Sequence, residues 1–539
     1  MRIFGLILSM LFFGSFLIPC AAQNKTYFVA ADGDDNASGL TIASAWKTLD
    51  KVNSMTFQPG DKILLKSGDT WHGQLSLKGS GEKGNPILLS KYGGDERPVI
   101  NMGNAEGACV RLFNQSWWEI DNIEVTSGAP PVLGIGRQGI VAIIKGGNQH
   151  IEHIVIRNCF IHDIWGQLGG DSEYCGYNSC GILVQIQDEK NGWGLNKNSI
   201  NTTLDDVLVE YNRIERVDKC GIVVRGCKNA LNVRHNFMEN LGGDGIFVGG
   251  CYKGVIEHNI AKRTCMRSGY LDLKGGENWW PHTAAIWIQD ADETVMQYNA
   301  VYDTGRQPKN GDGFAYDFDF NCNKCIVQYN YSRNNHGFLL LMGKTSENIA
   351  RYNISENDQT HLVEMQCNIE DKNVLYNNIF YIDYGTVNFD FFCGNDDSSE
   401  NKKRLGATFH NNIFYATGQS LFRTIYSIGH VLPRKIDEET KVAQGTPNSL
   451  FYNNCYFGPW KNGLPNDPKA LIADPLFIAP GTGGEGLSSL RGYQLRLESP
   501  CINSGIDVLL NGGKDFWGNK LDDGKLDIGA YEQIGSVAF

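Results

Sequence analysis

Proline, basic residues and long hydrophobic runs are all scarce in this chain of 539 residues. Proline occurs 16 times against 63 glycines, which argues against a disordered or collagen-like chain and is typical of many short strands joined by tight turns. The formal net charge is −12, so a polyanionic nucleic acid is not an expected partner. After the N-terminal segment, no apolar run reaches the roughly 18 residues that indicate a membrane-spanning helix, and no such span is expected.

The N-terminus is the exception. A single arginine precedes an apolar stretch there, and Cys20-Ala21-Ala22 supplies small residues for cleavage. This pattern predicts a secretory signal peptide over residues 1–22, and therefore a secreted or periplasmic protein. Lipid anchoring at Cys20 is the alternative, but Pro19 in front of it fits a lipoprotein pattern poorly.

Fourteen of the 15 cysteines follow that segment, and export would permit disulfides. Their spacing favours another interpretation. Cys227 and Cys251 lie 24 residues apart, at matching places in consecutive repeats, where they would stack inside or beside the fold. We interpret most cysteines as small packing residues. Cys322 and Cys325 have no second pair nearby, which argues against a structural zinc site.

The clearest positive signal is an internal repeat of about 23–24 residues. A short apolar strand that begins with Gly-Ile or Gly-Phe is followed by a turn and then by a segment of the form apolar-x-apolar-x-x-Asn-x-apolar. The asparagines of this segment are Asn158, Asn212, Asn236, Asn259, Asn299, Asn330, Asn353, Asn377 and Asn411.

This period predicts a solenoid of stacked β-coils. Two or three strands of about five residues, with their turns, account for one coil. Alternation within each strand directs one side to the coil axis and the other to solvent, and coils must stack about 4.8 Å apart to bury their inner faces. The recurring asparagine is expected at a bend, either because the bend requires the left-handed αL conformation or because the side-chain amides stack as a ladder.

Both ends of the solenoid are predicted to be capped. Residues 23–60 contain one strand, a polar turn and an amphipathic helix. Residues 61–470 form the β-helix with its loop insertions, and residues 471–539, which lack the repeat, form a C-terminal cap. The apolar positions that indicate the N-terminal helix are Trp46, Leu49 and Val52.

The opening motifs YFVAADGDD, AWKTLDKVN and PGDKILLKSGDTW, the asparagine repeats and the closing DIGAYE together resemble the pectate-lyase-like family. More narrowly, they are similar to secreted β-helix proteins of polysaccharide-degrading bacteria. The resemblance covers nearly the whole chain after the signal peptide, and it implies an all-β, right-handed parallel β-helix with carbohydrate-active chemistry. Since that family contains hydrolases, lyases, epimerases and non-catalytic adhesins, the resemblance alone selects no activity.

Insertions that interrupt the period indicate where loops rise from the solenoid, and most of them flank the Gly-Ile strands. They occupy residues 165–179, 188–204, 265–282, 303–312, 394–406 and 425–447. Loops along one strand column would wall a groove, the usual place for an extended ligand. Trp279 and Trp280 lie in one insertion, where they would stack on sugar rings or, equally, pack the loop onto the coil.

The Gly-Ile strands read, in order, GIVVRGC, GIFVGGC, AAIWIQD, FAYDFDF, FLLLMGK, LVEMQCN and FDFFCG. Alternation predicts two outward columns of side chains. The first column comprises Trp287, Asp317, Leu341, Glu364 and Asp390, and the second comprises Gln289, Asp319, Gly343, Gln366 and Phe392. Four carboxylates therefore fall on one exposed strand face.

These carboxylates suggest a glycosidase site. Asp317 and Asp319 lie two residues apart on one strand and on the same face, about 6.5–7 Å apart at Cα. Glu364 lies two coils, about 9.6 Å, from Asp317. Either pair reaches the ~5–9.5 Å range of paired glycosidase carboxylates. One acid with a raised pKa would protonate the leaving oxygen, while the other activates water or attacks the anomeric carbon. Aspartate is disfavoured inside strands, whereas solvation alone accounts for a single outward carboxylate such as Asp390.

A calcium-dependent polysaccharide lyase is the main alternative. It requires a base near the acidic sugar and calcium held by an aspartate cluster. Asp312 would then join the two strand aspartates as a metal ligand. Arg225 is the only outward basic residue within the groove strands, whereas His282 and His336 lie in adjacent loops or turns.

The interpretation that these residues favour is a glycoside hydrolase that acts on a polysaccharide through paired carboxylates in the groove. The predicted catalytic residues are Asp317, Asp319 and Glu364. The predicted substrate-binding residues are Trp279, Trp280, His282, Trp287, Gln289, His336, Asp390 and Arg225. No cofactor is expected unless the lyase alternative brings in calcium, and the expected state is a monomer. A non-catalytic carbohydrate-binding surface protein is the alternative from another functional class.

Overall fold

The computed structural model describes residues 24–128, 130, 135–166, 179–187, 201–266, 283–305, 313–365, 372–390, 407–425, 449–521 and 524–533. Within them, parallel strands form three long sheets of 14, 14 and 13 strands. In each coil the chain passes from sheet 1 to sheet 2 to sheet 3 before it returns to sheet 1 one coil further along. The fold is the predicted right-handed parallel β-helix.

The strands are numbered in chain order. Sheet 1 comprises β1 (Thr26–Val29), β2 (Lys62–Lys66), β5 (Ile87–Tyr92), β8 (Trp118–Asp121), β11 (His150–Arg157), β14 (Thr203–Glu210), β17 (Cys227–Arg234), β20 (Val255–Glu257), β23 (Val295–Gln297), β26 (Ile326–Gln328), β29 (Ile349–Arg351), β32 (Asn373–Tyr376), β35 (Ala407–His410) and β38 (Leu450–Tyr452). Sheet 2 comprises β3 (Thr70–His72), β6 (Val99–Asn101), β9 (Glu124–Thr126), β12 (Phe160–Ile164), β15 (Arg213–Val217), β18 (Phe237–Leu241), β21 (Ile260–Lys262), β24 (Ala300–Tyr302), β27 (Tyr331–Arg333), β30 (Ile354–Glu356), β33 (Ile379–Ile382), β36 (Ile413–Ala416), β39 (Cys455–Phe457) and β41 (Leu471–Ile472). Sheet 3 comprises β4 (Leu75–Ser76), β7 (Gly107–Phe113), β10 (Arg137–Lys145), β13 (Cys180–Gln187), β16 (Cys220–Arg225), β19 (Ile246–Gly249), β22 (Ile286–Gln289), β25 (Phe314–Phe318), β28 (Gly337–Leu341), β31 (His361–Met365), β34 (Thr386–Asp390), β37 (Leu421–Ile425) and β40 (Trp460–Lys461).

The described helices are short: α1 (Leu49–Ser54) and two 3-10 helices, Ile42–Ser44 and Leu487–Tyr493. Helix α1 buries Leu49 and Val52, as predicted. It begins later than the spacing indicated, because Thr48 caps it by accepting a hydrogen bond from the Lys51 N–H. Trp46 lies before the helix, where it forms a β-bridge with Val29 and stacks on Tyr27 at 4.8 Å between ring centroids. No described helix is long and apolar enough to cross a bilayer.

The recurring asparagines form a buried amide ladder at the turn between sheets 1 and 2. The backbone N–H and the side-chain amide of Asn212 both donate to Oδ1 of Asn236, and the side-chain amide also reaches a carbonyl of the previous coil. The αL conformation belongs to the preceding residue, such as Tyr211 or His235. Six of the nine predicted asparagines therefore take the ladder role, and the other three take the αL conformation. The members of the ladder are Asn212, Asn236, Asn259, Asn299, Asn330, Asn353, Asn378, Asn412 and Asn454.

Three predicted members of this series lie one residue too early. Asn158, Asn377 and Asn411 take the αL position, with φ of 56°, 52° and 50°. The corresponding ladder positions are filled by Cys159, Asn378 and Asn412. At Asn377 and Asn411 the repeat pattern selected the wrong residue, because each of these copies contains two adjacent asparagines.

The glycines that open the sheet 3 strands reflect close contact between coils. A Cβ atom on Gly181 would lie 2.7 Å from the carbonyl oxygen of Gly221, and one on Gly221 would lie 2.6 Å from that of Gly245.

The cysteines also serve packing, as predicted: the 11 that the structure describes are all buried free thiols.

The outer faces of the three sheets differ in what covers them. Sheet 1 carries ion pairs between coils, such as Arg234 with Glu210 at 2.8 Å. Sheet 2 is overlaid by the C-terminal segment, whose Gly486 N–H donates to the hydroxyl of Tyr302 at 2.7 Å and whose Leu490 is fully buried. That segment therefore packs along the side of the β-helix. Sheet 3 is left as the face that carries the predicted site.

Candidate functional site

Sheet 3 aligns the predicted groove residues in two outward columns. The first passes through Phe247, Trp287, Asp317, Leu340 and Glu364. The second passes through Arg225, Gly249 and Gln289 and continues toward Asp319, which follows the last residue of β25. Asp317 thus faces outward on its strand, and Asp319 follows two residues later on the same side, as the alternation predicts.

The register of β28 differs from the prediction by one residue. Leu340 aligns with Asp317, whereas Leu341 aligns with Phe318 and lies in the core. Phe338 and Leu339 both face inward, as Ala315 and Tyr316 do in β25, so the first outward residue after this corner is Leu340 and not Leu341. By the same shift, the second column passes through Met342 and not through Gly343.

Asp317 is a buried carboxylate on an outward strand position. Asp317 is 5% exposed, and its neighbours in the two adjacent strands are Trp287 and Leu340. Trp287 is itself 6% exposed and stacks on Phe247 at 3.8 Å between ring centroids. One face of this indole is therefore taken by Phe247, and the predicted role of Trp287 as a sugar platform stays a prediction.

Asp319 lies at the end of the strand, in a setting that favours the protonated acid. Its Oδ1 accepts a hydrogen bond of 2.7 Å from the backbone N–H of Phe320. Burial, together with the nearby negative charges of Asp290 and Asp244, outweighs that bond and raises the pKa of Asp319 to about 7. A carboxyl group with such a pKa can hold a proton near neutral pH and give it up during a reaction.

Glu364 belongs to a buried cluster that includes two histidines. It is 3% exposed, and its Oε2 lies 3.9 Å from Nδ1 of His361. The ring of His361 lies 6.0 Å from that of His336, which is 5% exposed. Sequence reasoning missed His361, because residues three apart on a regular strand face opposite sides. The corner at Leu362 and Val363, which both face inward, returns His361 to the side of Glu364.

Arg225 and Asp244 lie near the other end of the site. The Arg225 guanidinium lies 5.9 Å above the ring of Phe247, and the residue is 8% exposed. Asp244 is 1% exposed and accepts hydrogen bonds from the Cys220 thiol at 3.0 Å and the Ala284 N–H at 3.2 Å. Burial raises the pKa of Asp244, although the charge of Lys219 and the accepted hydrogen bonds oppose that shift.

Several predicted residues lie outside the described parts of the chain: Trp279, Trp280, His282 and Asp312, with Gln366 and Phe392 of the second column. Asp390 closes strand β34 opposite Ile425, but its side chain is not described. Among the described residues, no three His, Cys, Asp or Glu side chains are grouped to hold a metal ion. Because Asp312 is not among them, calcium binding stays an untested expectation.

Comparisons with known proteins point to carbohydrate-active relatives. No protein-family model matches the chain. The chain is 26% identical to a lacto-N-biosidase of Bifidobacterium longum subsp. longum over 95% of its own length, but it spans only 36% of that protein. Two crystal structures of a GH136 lacto-N-biosidase from Eubacterium ramulus are similar in fold. One has a TM-score of 0.58 at 20% identity and matches 80% of this chain and 67% of that chain; the other has 0.55 at 22% and matches 74% and 68%.

Proposed function

We propose that this chain is a glycoside hydrolase that cleaves an oligosaccharide or polysaccharide at the outer face of sheet 3, with Asp317 and Asp319 as the acid–base pair. The observation that carries the proposal is the placement of two carboxylates two residues apart on the outer face of sheet 3, of which Asp317 is only 5% exposed; burial raises the pKa of the other, Asp319, to about 7. The lacto-N-biosidase relative supports the reaction class. The signal-peptide pattern of residues 1–22 supports secretion, although these residues lie outside the described structure.

The two aspartates divide the chemistry between them. Asp319 holds its proton near neutral pH and donates it to the glycosidic oxygen as the bond breaks. Asp317, about 6.6 Å away along the strand at Cα, activates a water molecule or attacks the anomeric carbon. Glu364, with His361 beside it, is the next carboxylate in the same column and binds or polarises the neighbouring part of the substrate.

The first glycans to test are those that carry a lacto-N-biosyl unit, because the relative in Bifidobacterium longum is a lacto-N-biosidase. A lacto-N-biosyl glycoside should head a panel of plant and host glycans, with both reducing ends and unsaturated sugars measured. Hydrolysis yields reducing ends alone, whereas a lyase yields an unsaturated sugar and loses activity with a chelator. Affinity without any product would instead favour the carbohydrate-binding alternative.

The residue assignment is tested by Asp317→Asn and Asp319→Asn. Each should lower kcat/KM by about 10²–10⁴-fold, the contribution expected of a positioned acid or base. The matched control is Asp205→Asn on the outer face of sheet 1, where the carboxylate only accepts a hydrogen bond from Asn229 at 2.7 Å. Near-normal rates in both site variants would contradict the assignment, provided that all three proteins are folded at the temperature and pH of the assay.

A further inference from the structure

Phe320 is an exposed aromatic residue directly beside the proposed proton donor. It follows Asp319 in the chain, and its backbone N–H donates to Oδ1 of that carboxyl group at 2.7 Å. Phe320 is 38% exposed, whereas Phe247 and Trp287, the aromatic residues of the first outward column, are 1% and 6% exposed. The position of Phe320 is therefore tied to the acid, while its ring is accessible from solvent.

A one-residue bulge brings Phe320 to the outer face. The Asp319 N–H donates to the carbonyl of Ile288 at 2.9 Å, and the Asp290 N–H donates to the carbonyl of Phe320 at 2.8 Å. Asp319 and Phe320 therefore both lie opposite one residue of the preceding coil, Gln289. Strict alternation would direct one of two consecutive side chains into the core, but Phe320 is exposed and does not belong to the core cluster.

The coil on the C-terminal side leaves the ring of Phe320 uncovered. Phe320 aligns there with Gly343, because the Asn321 N–H donates to the carbonyl of Gly343 at 3.2 Å, and glycine has no side chain to cover it. Within the described part of the chain, no aromatic ring stacks on Phe320, whereas Trp287 stacks on Phe247 at 3.8 Å. An aromatic face that is open to a groove can hold the C–H face of a sugar ring.

We propose that Phe320 is a sugar platform: it stacks on one of the two sugars that are joined through the glycosidic oxygen that Asp319 protonates. This inference rests on the proposed hydrolase function. Consecutive Cα atoms are about 3.8 Å apart, so a sugar on this ring lies within reach of the Asp319 carboxyl group. The bulge and the N–H bond to Asp319 fix the ring relative to the acid, so that stacking also positions the bond to be cleaved.

Substitutions of Phe320 separate stacking from simple apolar contact. On the substrate found in the glycan panel, Phe320→Ala should raise KM by about 10-fold and change kcat by less, because the stacked sugar is held before and during the reaction. Phe320→Leu should lose as much as Phe320→Ala, since leucine is apolar but has no ring face. Phe320→Trp should keep kcat/KM within about 3-fold of the unmodified protein, because the indole also presents a face.

The matched control is Phe113→Ala. Phe113 is 41% exposed at the end of β7 in the same sheet, six strands away from β25. This substitution should change neither KM nor kcat.

An unchanged KM in Phe320→Ala, or a leucine variant that equals the unmodified protein, would overturn the platform while leaving the hydrolase proposal intact. If Phe320→Ala does not fold, the leucine and tryptophan variants decide: equal KM values for these two would contradict stacking. Hydrolysis of no glycan at all by the unmodified protein would overturn the proposed function, and this inference with it.

Discussion

Asp319 combines partial exposure at a strand end with a pKa near neutrality, and this combination has consequences for rate and for stability. As the proton donor, Asp319 must be protonated when substrate binds. We therefore expect kcat/KM to fall as the pH rises through about 7, because the acid form is lost there. A pH–rate profile measured on the substrate found in the panel checks this, and a rate that stays constant across that interval would contradict the role of Asp319.

The same carboxyl group should weaken the fold at high pH. In the unfolded chain it ionises near its ordinary pKa, whereas in the folded chain burial holds the proton until about pH 7. The unfolded state therefore binds fewer protons between these two values, and stability falls as the pH rises through that window. Asp319→Asn removes the penalty: it should raise the melting temperature near pH 8 relative to the unmodified protein, and change it little near pH 4. A gain of equal size at both pH values would mean that the charge is not its cause.

At the scale of the element, the asparagine ladder adds to the sheet hydrogen bonds that join one coil to the next. Asn330 accepts from the backbone and side-chain N–H groups of Asn299 and donates to the carbonyl of Met296. Asn330→Ala leaves these buried groups without partners, and we expect it to cost about 3 kcal/mol of unfolding free energy. Denaturant titration measures this cost. The control is Asn148→Gly, at an exposed αL position with φ of 61°, which should cost little since glycine adopts that conformation readily.

The strands and corners of the coils differ in how well the sequence predicts them. The period, the Gly-Ile strands and the outward aspartates could be predicted, because alternation and stacking are local rules. The position of Leu340 and the approach of His361 to Glu364 could not, since both depend on a corner where two consecutive residues face inward.

At the scale of the whole molecule, the C-terminal segment covers the outer face of sheet 2 and shields it from solvent. Leu490 lies in the 3-10 helix over that sheet and is 0% exposed, in one apolar cluster with Tyr331 and Tyr381. Leu490→Asp would bury a charge without a partner, so we expect the segment to detach, at a cost of about 3–5 kcal/mol. Limited proteolysis and thermal melting should both report the change.

Leu497→Asp is the matched control, because Leu497 lies in the same segment but is 70% exposed. It should leave the proteolytic pattern and the melting temperature unaltered. Equal behaviour of the two variants would contradict the closing role of this segment.

The stacking of whole coils also limits how the distances between acid groups can change during evolution. Two carboxylates on one strand can move apart only by two residues at a time, about 6.6 Å, and two in one column only by a whole coil, about 4.8 Å. Diagonal pairs, one coil and two residues apart, add a spacing of about 8 Å, and finer adjustments are available where the chain turns a corner, as it does before Glu364. The corners of the coils, more than the strands, are therefore where a β-helix of this kind can shift from one cleavage geometry to another in small increments.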